Sequence, residues 1–418
     1  MFAASAVLAL NYGLIAWLFH LVYRKNKLLA YISFPFIWTS VEYIRSFGVL
    51  SSPWINLGNT QSSHLLFIQM ADIGGIYLIS FVMVSISTVL LLIYRRLLPL
   101  QYLLLVLSIF IILPYIYGLS RMYQPFASGN KLSVRIIQPN YDSQEKWKRK
   151  NRNQLFADMD SLSRGNGKDF TDIVLWPESA TPVYIRKKNR YQAILQKMVD
   201  ETGSILITGS PDYEKTENGI KPYNSLIAFE KNKGITAHYN KVHLVPFGEY
   251  IPLSNRFPIL KELNLGQANF EPGKDNQIFI VNDSLKLVPA ICYESIYSQA
   301  IAKAVKNGGK AIINVTNDSW FGPSWGPYQH ASQAVFRAIE TRRPLFRSAN
   351  TGISLAIDSH GKIINKIELY KKAYIDVTVN LNDTITIYVK YADIFAIIIL
   401  IGTICLIVLP YVYSRYFL

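Results

Sequence analysis

Cysteine is nearly absent from this sequence, which has only Cys292 and Cys405 among its 418 residues. Cys405 lies inside a long apolar run, so the two cysteines do not provide the disulfide framework that stabilises many small exported proteins. Cys292 is therefore expected to be a free thiol. Because most free cysteines are simply small buried hydrophobic residues, the neighbours of Cys292 must decide whether it takes part in chemistry.

Charged residues are also scarce, at 17% of the chain compared with about 25% in ordinary globular proteins. The six histidines are scattered without metal-ligand spacing and no glycine-rich phosphate loop occurs, so neither a metal nor a nucleotide cofactor is expected. The net charge of +15 suits an anionic partner, but the sequence has no zinc-finger spacing, RNA-binding signature or dense basic helix. The basic excess therefore favours a membrane surface, and no nucleic acid partner is expected.

Half of the residues are hydrophobic, and long apolar stretches of the kind that cross a bilayer lie at both ends of the chain. The predicted spans run from Phe2 to Tyr23, Leu28 to Tyr43, Leu65 to Tyr94, Leu97 to Leu119, and Ile394 to Tyr413. The sequence thus predicts a transmembrane bundle of four helices over residues 1–120, a catalytic domain over 121–390, and a C-terminal transmembrane helix over 391–418.

Short basic loops predict the orientation of these spans. Arg24, Lys25 and Lys27 follow the first span, and Arg95 and Arg96 follow the third, which places both loops in the cytoplasm by the positive-inside rule. The large middle segment is then predicted to be periplasmic, in a multi-pass protein of the bacterial inner membrane.

The middle segment alternates β-rich runs with helical patterns, which favours an α/β layered domain. Helices are predicted for Arg190 to Thr202 and Tyr297 to Asn307. Strands are predicted for Leu132 to Gln138, Asp172 to Trp176, Ser204 to Gly209, Ser225 to Glu230, Lys286 to Ile291, Lys310 to Val315, and Ser354 to Asp358.

Two strand ends carry side chains suited to catalysis. Glu178 follows a strand at a proline-bounded turn, although a surface glutamate that caps the next helix is the simpler interpretation. Cys292 lies between a strand and a helix, where the helix N-terminus and a nearby lysine would favour the thiolate. A nucleophilic cysteine also needs a proton acceptor, and Glu178 can serve if folding brings it close.

A third segment, from Tyr239 to Pro252, holds Lys241 and Glu249 in a loop with two prolines and a glycine. Loops of this rigidity usually position functional groups. Lys241 is either simply solvated or placed to stabilise a developing oxyanion.

These three segments resemble the nitrilase or carbon-nitrogen hydrolase superfamily, whose members carry a Glu-Lys-Cys triad. Within it, they are most similar to the apolipoprotein N-acyltransferase family. The resemblance rests on Trp176-Pro-Glu178, on Lys241 before Pro246-Phe-Gly-Glu-Tyr-Ile-Pro252, and on Cys292-Tyr-Glu294, with support from segments 314–322, 326–330, 340–353, 38–45 and 53–58.

The resemblance implies a nitrilase-like α-β-β-α sandwich inserted between transmembrane helices. It implies that Glu178 is the general base, Lys241 the stabiliser of the tetrahedral intermediate, and Cys292 the nucleophile that becomes acylated. It also implies supporting roles, in substrate binding or beside the triad, for Glu249, Trp147, Tyr293 and Glu294. His330 is interpreted instead as a structural hydrogen-bonding residue. Because family members carry more spans before the catalytic domain, this chain is expected to lack an odd number of helices.

The function that the resemblance implies is acyl transfer in two steps. A phospholipid donates a fatty acyl chain to Cys292 as a thioester, and the N-terminal amine of a diacylglyceryl-modified apolipoprotein accepts it. The enzyme is expected to act as a monomer. The alternative enzyme is a membrane-tethered amidase that hydrolyses a small amide with the same triad, and the non-enzyme alternative is a scaffold, which would be expected to have lost a triad residue.

Overall fold

The computed structural model describes residues 2–48, 51–126, 130–142, 144–167, 171–187, 189–217, 219–254, 256–257, 259–260, 269–274 and 278–416. The helices are α1 (Phe2–Tyr23), α2 (Lys27–Ile44), α3 (Leu65–Ile68), α4 (Ala71–Tyr94), α5 (Leu100–Tyr123), α6 (Arg152–Arg164), α7 (Asn189–Thr202), α8 (Ser298–Lys306), α9 (Gly326–Thr341), α10 (Ile387–Tyr391) and α11 (Ile394–Tyr416). The chain forms two compact units, one of Met1–Gln124 with Thr386–Leu418 and the other of Pro125–Ile385.

The first unit is helical. Ala71–Tyr94, Leu100–Tyr123 and Ile394–Tyr411 are long and apolar enough to cross a membrane, and Leu8–Tyr23 is a shorter apolar helix. Asn26 begins α2 because its side chain accepts a hydrogen bond from the backbone N–H of Leu29 at 2.9 Å. These apolar helices identify a membrane protein.

The third predicted span, from Leu65 to Tyr94, is not one continuous helix. The structure instead has α3 ending at Ile68 and α4 beginning at Ala71. Within α4, Gly75 has a φ of 65° and a ψ of −164°, which breaks the helical geometry. A Cβ at Gly75 would lie 2.6 Å from Cε2 of Tyr388, so only glycine fits here.

A buried ion pair stabilises the helical unit. Asp72 is 2% exposed and lies 2.6 Å from Nη2 of Arg121. The hydroxyl of Tyr117 donates to the same carboxylate at 2.6 Å. Because an isolated charge among apolar helices is costly, these two partners are what allow Asp72 to be buried.

The second unit contains two six-stranded mixed sheets. The strands are β1 (Lys131–Gln138), β2 (Ile173–Leu175), β3 (Ile205–Thr216), β4 (Gly219–Glu230), β5 (Gly234–Asn240), β6 (Phe279–Val281), β7 (Leu285–Ile291), β8 (Ala311–Thr316), β9 (Leu345–Ala349), β10 (Ser354–Ile357), β11 (Ile363–Ile367) and β12 (Ala373–Asn380). The strand order is β12-β1-β2-β3-β4-β5 in one sheet and β11-β10-β9-β8-β7-β6 in the other.

Apolar side chains of the two sheets pack face to face and form the central core. Val134 and Leu175 of the first sheet belong to the same buried cluster as Ile291 and Ile313 of the second. A second cluster joins α6 and α7 to the opposite face of the first sheet, for example through Met159 and Met198. With α8 and α9 packing against the second sheet, the predicted nitrilase-like α-β-β-α sandwich is confirmed.

All of the predicted strands and helices of this unit are present, but the sequence analysis missed others, including α6, α9, β5 and β9. The hairpin of β3 and β4 also extends further than expected, because the two strands stay paired from Leu206 opposite Phe229 to Thr216 opposite Gly219. β9 was missed because polar residues such as Arg347 interrupt the apolar run that would predict a buried strand.

Candidate active site

Glu178 lies just beyond the end of β2 and is 7% exposed. Asn224 donates to Oε1 at 2.7 Å through Nδ2, and the backbone N–H of Asn317 donates to Oε2 at 2.8 Å. The chain turns at Ser179, whose φ is 50°. Gly209 passes so close that a Cβ there would lie 2.6 Å from Cα of Glu178. Packing and hydrogen bonds therefore fix the carboxylate in position.

Lys241 is the first residue after β5 and is only 1% exposed. Its Nζ donates to Oε1 of Glu249 at 2.9 Å and lies 2.8 Å from Oε2. Oε2 also accepts from the backbone N–H of Val245 at 2.8 Å, and Asn224 donates to Oε1 at 3.1 Å. Since the same Asn224 amide donates to Glu178, it links the two glutamates.

Cys292 is the first residue after β7, where a short 3-10 helix, Cys292–Ile296, begins. Its φ of 53° lies in the left-handed region, which is uncommon for any residue other than glycine. The Cys292 carbonyl accepts a hydrogen bond from Oγ of Ser295 at 3.0 Å and lies 3.1 Å from Nε2 of His330. A strained turn between a strand and a helix is a common way of presenting a nucleophile.

His330 belongs to a buried charged network behind this turn. Its Nδ1 lies 2.9 Å from Oδ1 of Asp318, and Nη2 of Arg347 donates to Oδ2 of Asp318 at 2.8 Å. Burial lowers the pKa of His330, and the charge of Arg347 lowers it further. These hydrogen bonds agree with the structural role expected for His330.

The three predicted residues form one electrostatic site. Burial raises the pKa of the Cys292 thiol to about 12, with a further contribution from Glu178 and an opposing one from Lys241. Burial also raises the pKa of Glu178, against the effect of Lys241. Burial lowers the pKa of Lys241, but the charges of Glu249, Cys292 and Glu178 outweigh it and raise the pKa above its ordinary value.

These shifts correct one expectation from the sequence. Cys292 was expected to favour the thiolate, because a helix N-terminus and a lysine lie nearby. With a thiol pKa of about 12, the resting sulfur carries its proton at neutral pH. The reason is burial next to the Glu178 carboxylate, which outweighs the single cation.

Glu294 ties the turn at Cys292 to the loop that carries Lys241. Its Oε2 accepts from the backbone N–H of Ile291 at 2.8 Å. Its Oε1 accepts from the hydroxyl of Tyr239 at 2.8 Å and from the backbone N–H groups of Val242 and His243 at 2.7 and 3.0 Å. Both oxygens of Glu294 therefore accept hydrogen bonds, and these bonds connect the two segments.

Two other predicted residues lie in more open positions. Trp147 is 44% exposed, and Nζ of Lys146 lies 5.7 Å from the centre of its ring. Tyr293 is partly buried and packs edge-on against Tyr297, with 5.5 Å between ring centres.

The sequence analysis missed Asn224 and Lys146. Asn224 is a polar residue in the buried part of β4, which was a usable signal, since a buried amide needs hydrogen-bond partners. No such signal pointed to Lys146, because it belongs to the basic run from Lys146 to Arg152, and such a run is typical of a solvated surface. Within the described part of the chain, no group of three or more His, Cys, Asp or Glu residues has the geometry to hold a metal ion.

Comparisons with known proteins identify the family. Residues 133–388 match the carbon-nitrogen hydrolase model, and residues 1–89 match the N-terminal domain of apolipoprotein N-acyltransferases. An apolipoprotein N-acyltransferase of Geobacter metallireducens is 35% identical over 374 residues, which cover 87% of this chain and 71% of the relative. The chain belongs to the apolipoprotein N-acyltransferase family.

Another apolipoprotein N-acyltransferase, from Rickettsia prowazekii, is 33% identical over 356 residues, which cover 84% of this chain and 71% of the relative. A solved carbon-nitrogen hydrolase from Helicobacter pylori is 16% identical, with a TM-score of 0.45, over 60% of this chain and 90% of its own. Membership of the apolipoprotein N-acyltransferase family confirms the predicted acyltransferase function in lipoprotein N-acylation and does not favour the amidase alternative.

Proposed function

We propose that this protein transfers a fatty acyl chain from a membrane phospholipid, through a thioester on Cys292, to the N-terminal amine of a diacylglyceryl-modified apolipoprotein. The observation that carries the mechanism is that Cys292, Glu178 and Lys241 lie close enough for their charges to shift one another's pKa values. Such a group supplies a nucleophile, a base and a stabilising cation without any cofactor.

In the first step, the sulfur of Cys292 attacks the ester carbonyl of the phospholipid while Glu178 takes the thiol proton. A C–S bond forms, and Lys241 stabilises the negative charge on the carbonyl oxygen. The C–O bond then breaks, and the proton on Glu178 passes to the departing alcohol of the lysophospholipid. The thioester on Cys292 remains.

In the second step, the acceptor amine attacks the thioester and loses a proton to Glu178. The C–N bond forms, the C–S bond breaks, and the proton returns to the sulfur of Cys292. The raised pKa of the thiol supports this return, because a basic thiolate takes up a proton readily. Glu249 holds the Lys241 ammonium in place through both steps.

We infer that the other predicted residues shape the site. Glu294 holds the turn and the lysine loop together, which its hydrogen bonds to Ile291 and Val242 support. Trp147, exposed beside Lys146, and Tyr293, next to the nucleophile in sequence, are proposed to border the acyl chain.

We also infer that the protein is a multi-pass protein of the bacterial inner membrane and acts as a monomer. In this proposal, residues 1–120 and 391–418 form the membrane part, and residues 121–390 form the periplasmic catalytic domain. The basic loops at Arg24 to Lys27 and Arg95 to Arg96 support this orientation. The two compact units, which divide at Gln124 and Thr386, support a similar partition.

The proposal is tested by the intact mass of protein purified from membranes. We expect a fatty acyl adduct that hydroxylamine removes and that peptide mapping places on Cys292. Cys292→Ala should lack the adduct, whereas Cys405→Ala, at an exposed position of α11, should keep it. Absence of the adduct from wild-type protein that is active in the transfer assay would refute the thioester mechanism.

A further inference from the structure

Lys146 is a buried lysine next to the proposed base. It belongs to the short 3-10 helix Glu145–Trp147 and is 3% exposed, whereas Trp147 beside it is exposed. Burying an ammonium is costly unless it is paired or hydrogen-bonded. A lysine in a run of surface basic residues therefore has a specific reason to point inward.

The ammonium of Lys146 contacts the turn that presents Glu178. Its Nζ donates to the carbonyl oxygen of Ser179 at 3.2 Å. Ser179 is the residue whose φ of 50° turns the chain after Glu178. Among the described residues, this carbonyl is the one hydrogen-bond acceptor of Nζ, and Glu178 is the acidic group whose charge acts on it.

Two lysines, Lys241 and Lys146, and one glutamate, Glu249, act electrostatically on Glu178. Lys241 approaches from the loop after β5, but both oxygens of Glu249 lie within 2.9 Å of its ammonium and offset its charge. Cys292, from the turn after β7, adds no positive charge. Lys146 is a second cation that favours the ionised form of Glu178, with a smaller effect than that of Lys241, and Glu249 does not offset it by an ion pair.

We propose that Lys146 is a positioning residue that keeps Glu178 in the carboxylate form and, through the Ser179 carbonyl, fixes the turn that directs it. This inference rests on the proposed function, in which Glu178 takes the proton of Cys292. A base must be ionised before it accepts a proton, and a nearby cation favours the ionised form.

The ammonium of Lys146 carries its charge at neutral pH. Burial lowers the pKa of Lys146 to about 8, against the opposing effect of Glu178. At neutral pH and below, Lys146 therefore carries its charge. As the pH rises through this pKa, the charge of Lys146 is lost.

The test follows the rate of acyl-Cys292 formation from a labelled phospholipid between pH 5 and 9, with the full chain in detergent. For Lys146→Met we expect the acid limb to move upward by about one pH unit, the effect of losing one nearby charge. On the acid side of the limb the rate should fall about tenfold, and on its alkaline side it should approach the wild-type rate.

Three variants serve as controls. Lys146→Gln keeps a hydrogen-bond donor without the charge and should behave like Lys146→Met, so it replaces that variant if Lys146→Met does not fold. Lys146→Arg keeps the charge and should restore most of the acid limb. Lys148→Met removes an exposed charge from the same segment and should leave the profile unchanged.

An acid limb that stays in place in the uncharged variants, with or without a uniform loss of rate, would overturn the proposal. That outcome differs from failure of the proposed function. If the wild-type protein forms no hydroxylamine-sensitive adduct on Cys292, the mechanism itself is wrong. If the adduct forms and the limb does not move, only the role of Lys146 is wrong.

Discussion

Replacement of Glu294 tests how the active site is held together. Its two oxygens accept from four donors, three of which are backbone N–H groups, at Ile291, Val242 and His243. The fourth donor is the hydroxyl of Tyr239. In Glu294→Gln, the amide oxygen can keep the three donors on one side, but the new NH₂ group faces the N–H of Ile291.

The magnitude follows from the number of donors that lose their acceptor. One buried donor without an acceptor costs about 1–3 kcal/mol, so Glu294→Gln should destabilise the fold by that amount. In Glu294→Ala all four donors lose their acceptor, and the cost should exceed about 4 kcal/mol, the range of exceptionally damaging substitutions. The two variants are therefore expected to differ clearly in thermal stability.

The assay combines thermal unfolding of the purified full chain with the rate of acyl-Cys292 formation. Because Glu294 holds the segments that carry Lys241 and Cys292, we expect Glu294→Gln to slow acylation even at temperatures where it is folded. Wild-type stability and wild-type acylation in Glu294→Gln would refute this account of Glu294.

Three further substitutions have expected outcomes. Gly209→Ala should greatly reduce acylation, measured with labelled phospholipid, because the new Cβ would lie 2.6 Å from Cα of Glu178 and displace it. Lys241→Arg should slow acylation by about 10²–10³-fold, almost as much as Lys241→Ala, because a planar guanidinium places its charge differently; near wild-type rates would contradict the oxyanion role. Cys405→Ala should retain transfer activity in the same assay, since this cysteine is exposed on α11.

The sequence predicted much of the fold because buried strands in this domain are mostly apolar runs. It missed β9 because Arg347 lies in its middle, where apolar side chains are expected. That arginine is tolerated through its hydrogen bonds to Asn314 and Asp318, which are far away in the sequence. Periodicity does not reveal such partners, so strands stabilised by buried polar networks escape it.

The candidate site, like the fold, was predicted from the sequence only in part. Motifs located Glu178, Lys241 and Cys292, and the structure brings their charges together. The protonation state of Cys292 was expected wrongly, because it depends on burial and on the balance of several charges rather than on one adjacent lysine. Lys146 was missed for a related reason, since the direction of its side chain is decided by tertiary contacts.

Three glutamates in this region have different environments, and their partners support different roles. Glu294 accepts from four donors and serves as a fixed anchor. Glu249 forms an ion pair with the ammonium of Lys241, so its negative charge is neutralised by that cation. Within the described ranges, Glu178 accepts from two neutral donors, and burial raises its pKa. A glutamate whose pKa is raised by burial, next to a protonated thiol, is the one best suited to take up a proton, which is why the role of base is assigned to Glu178.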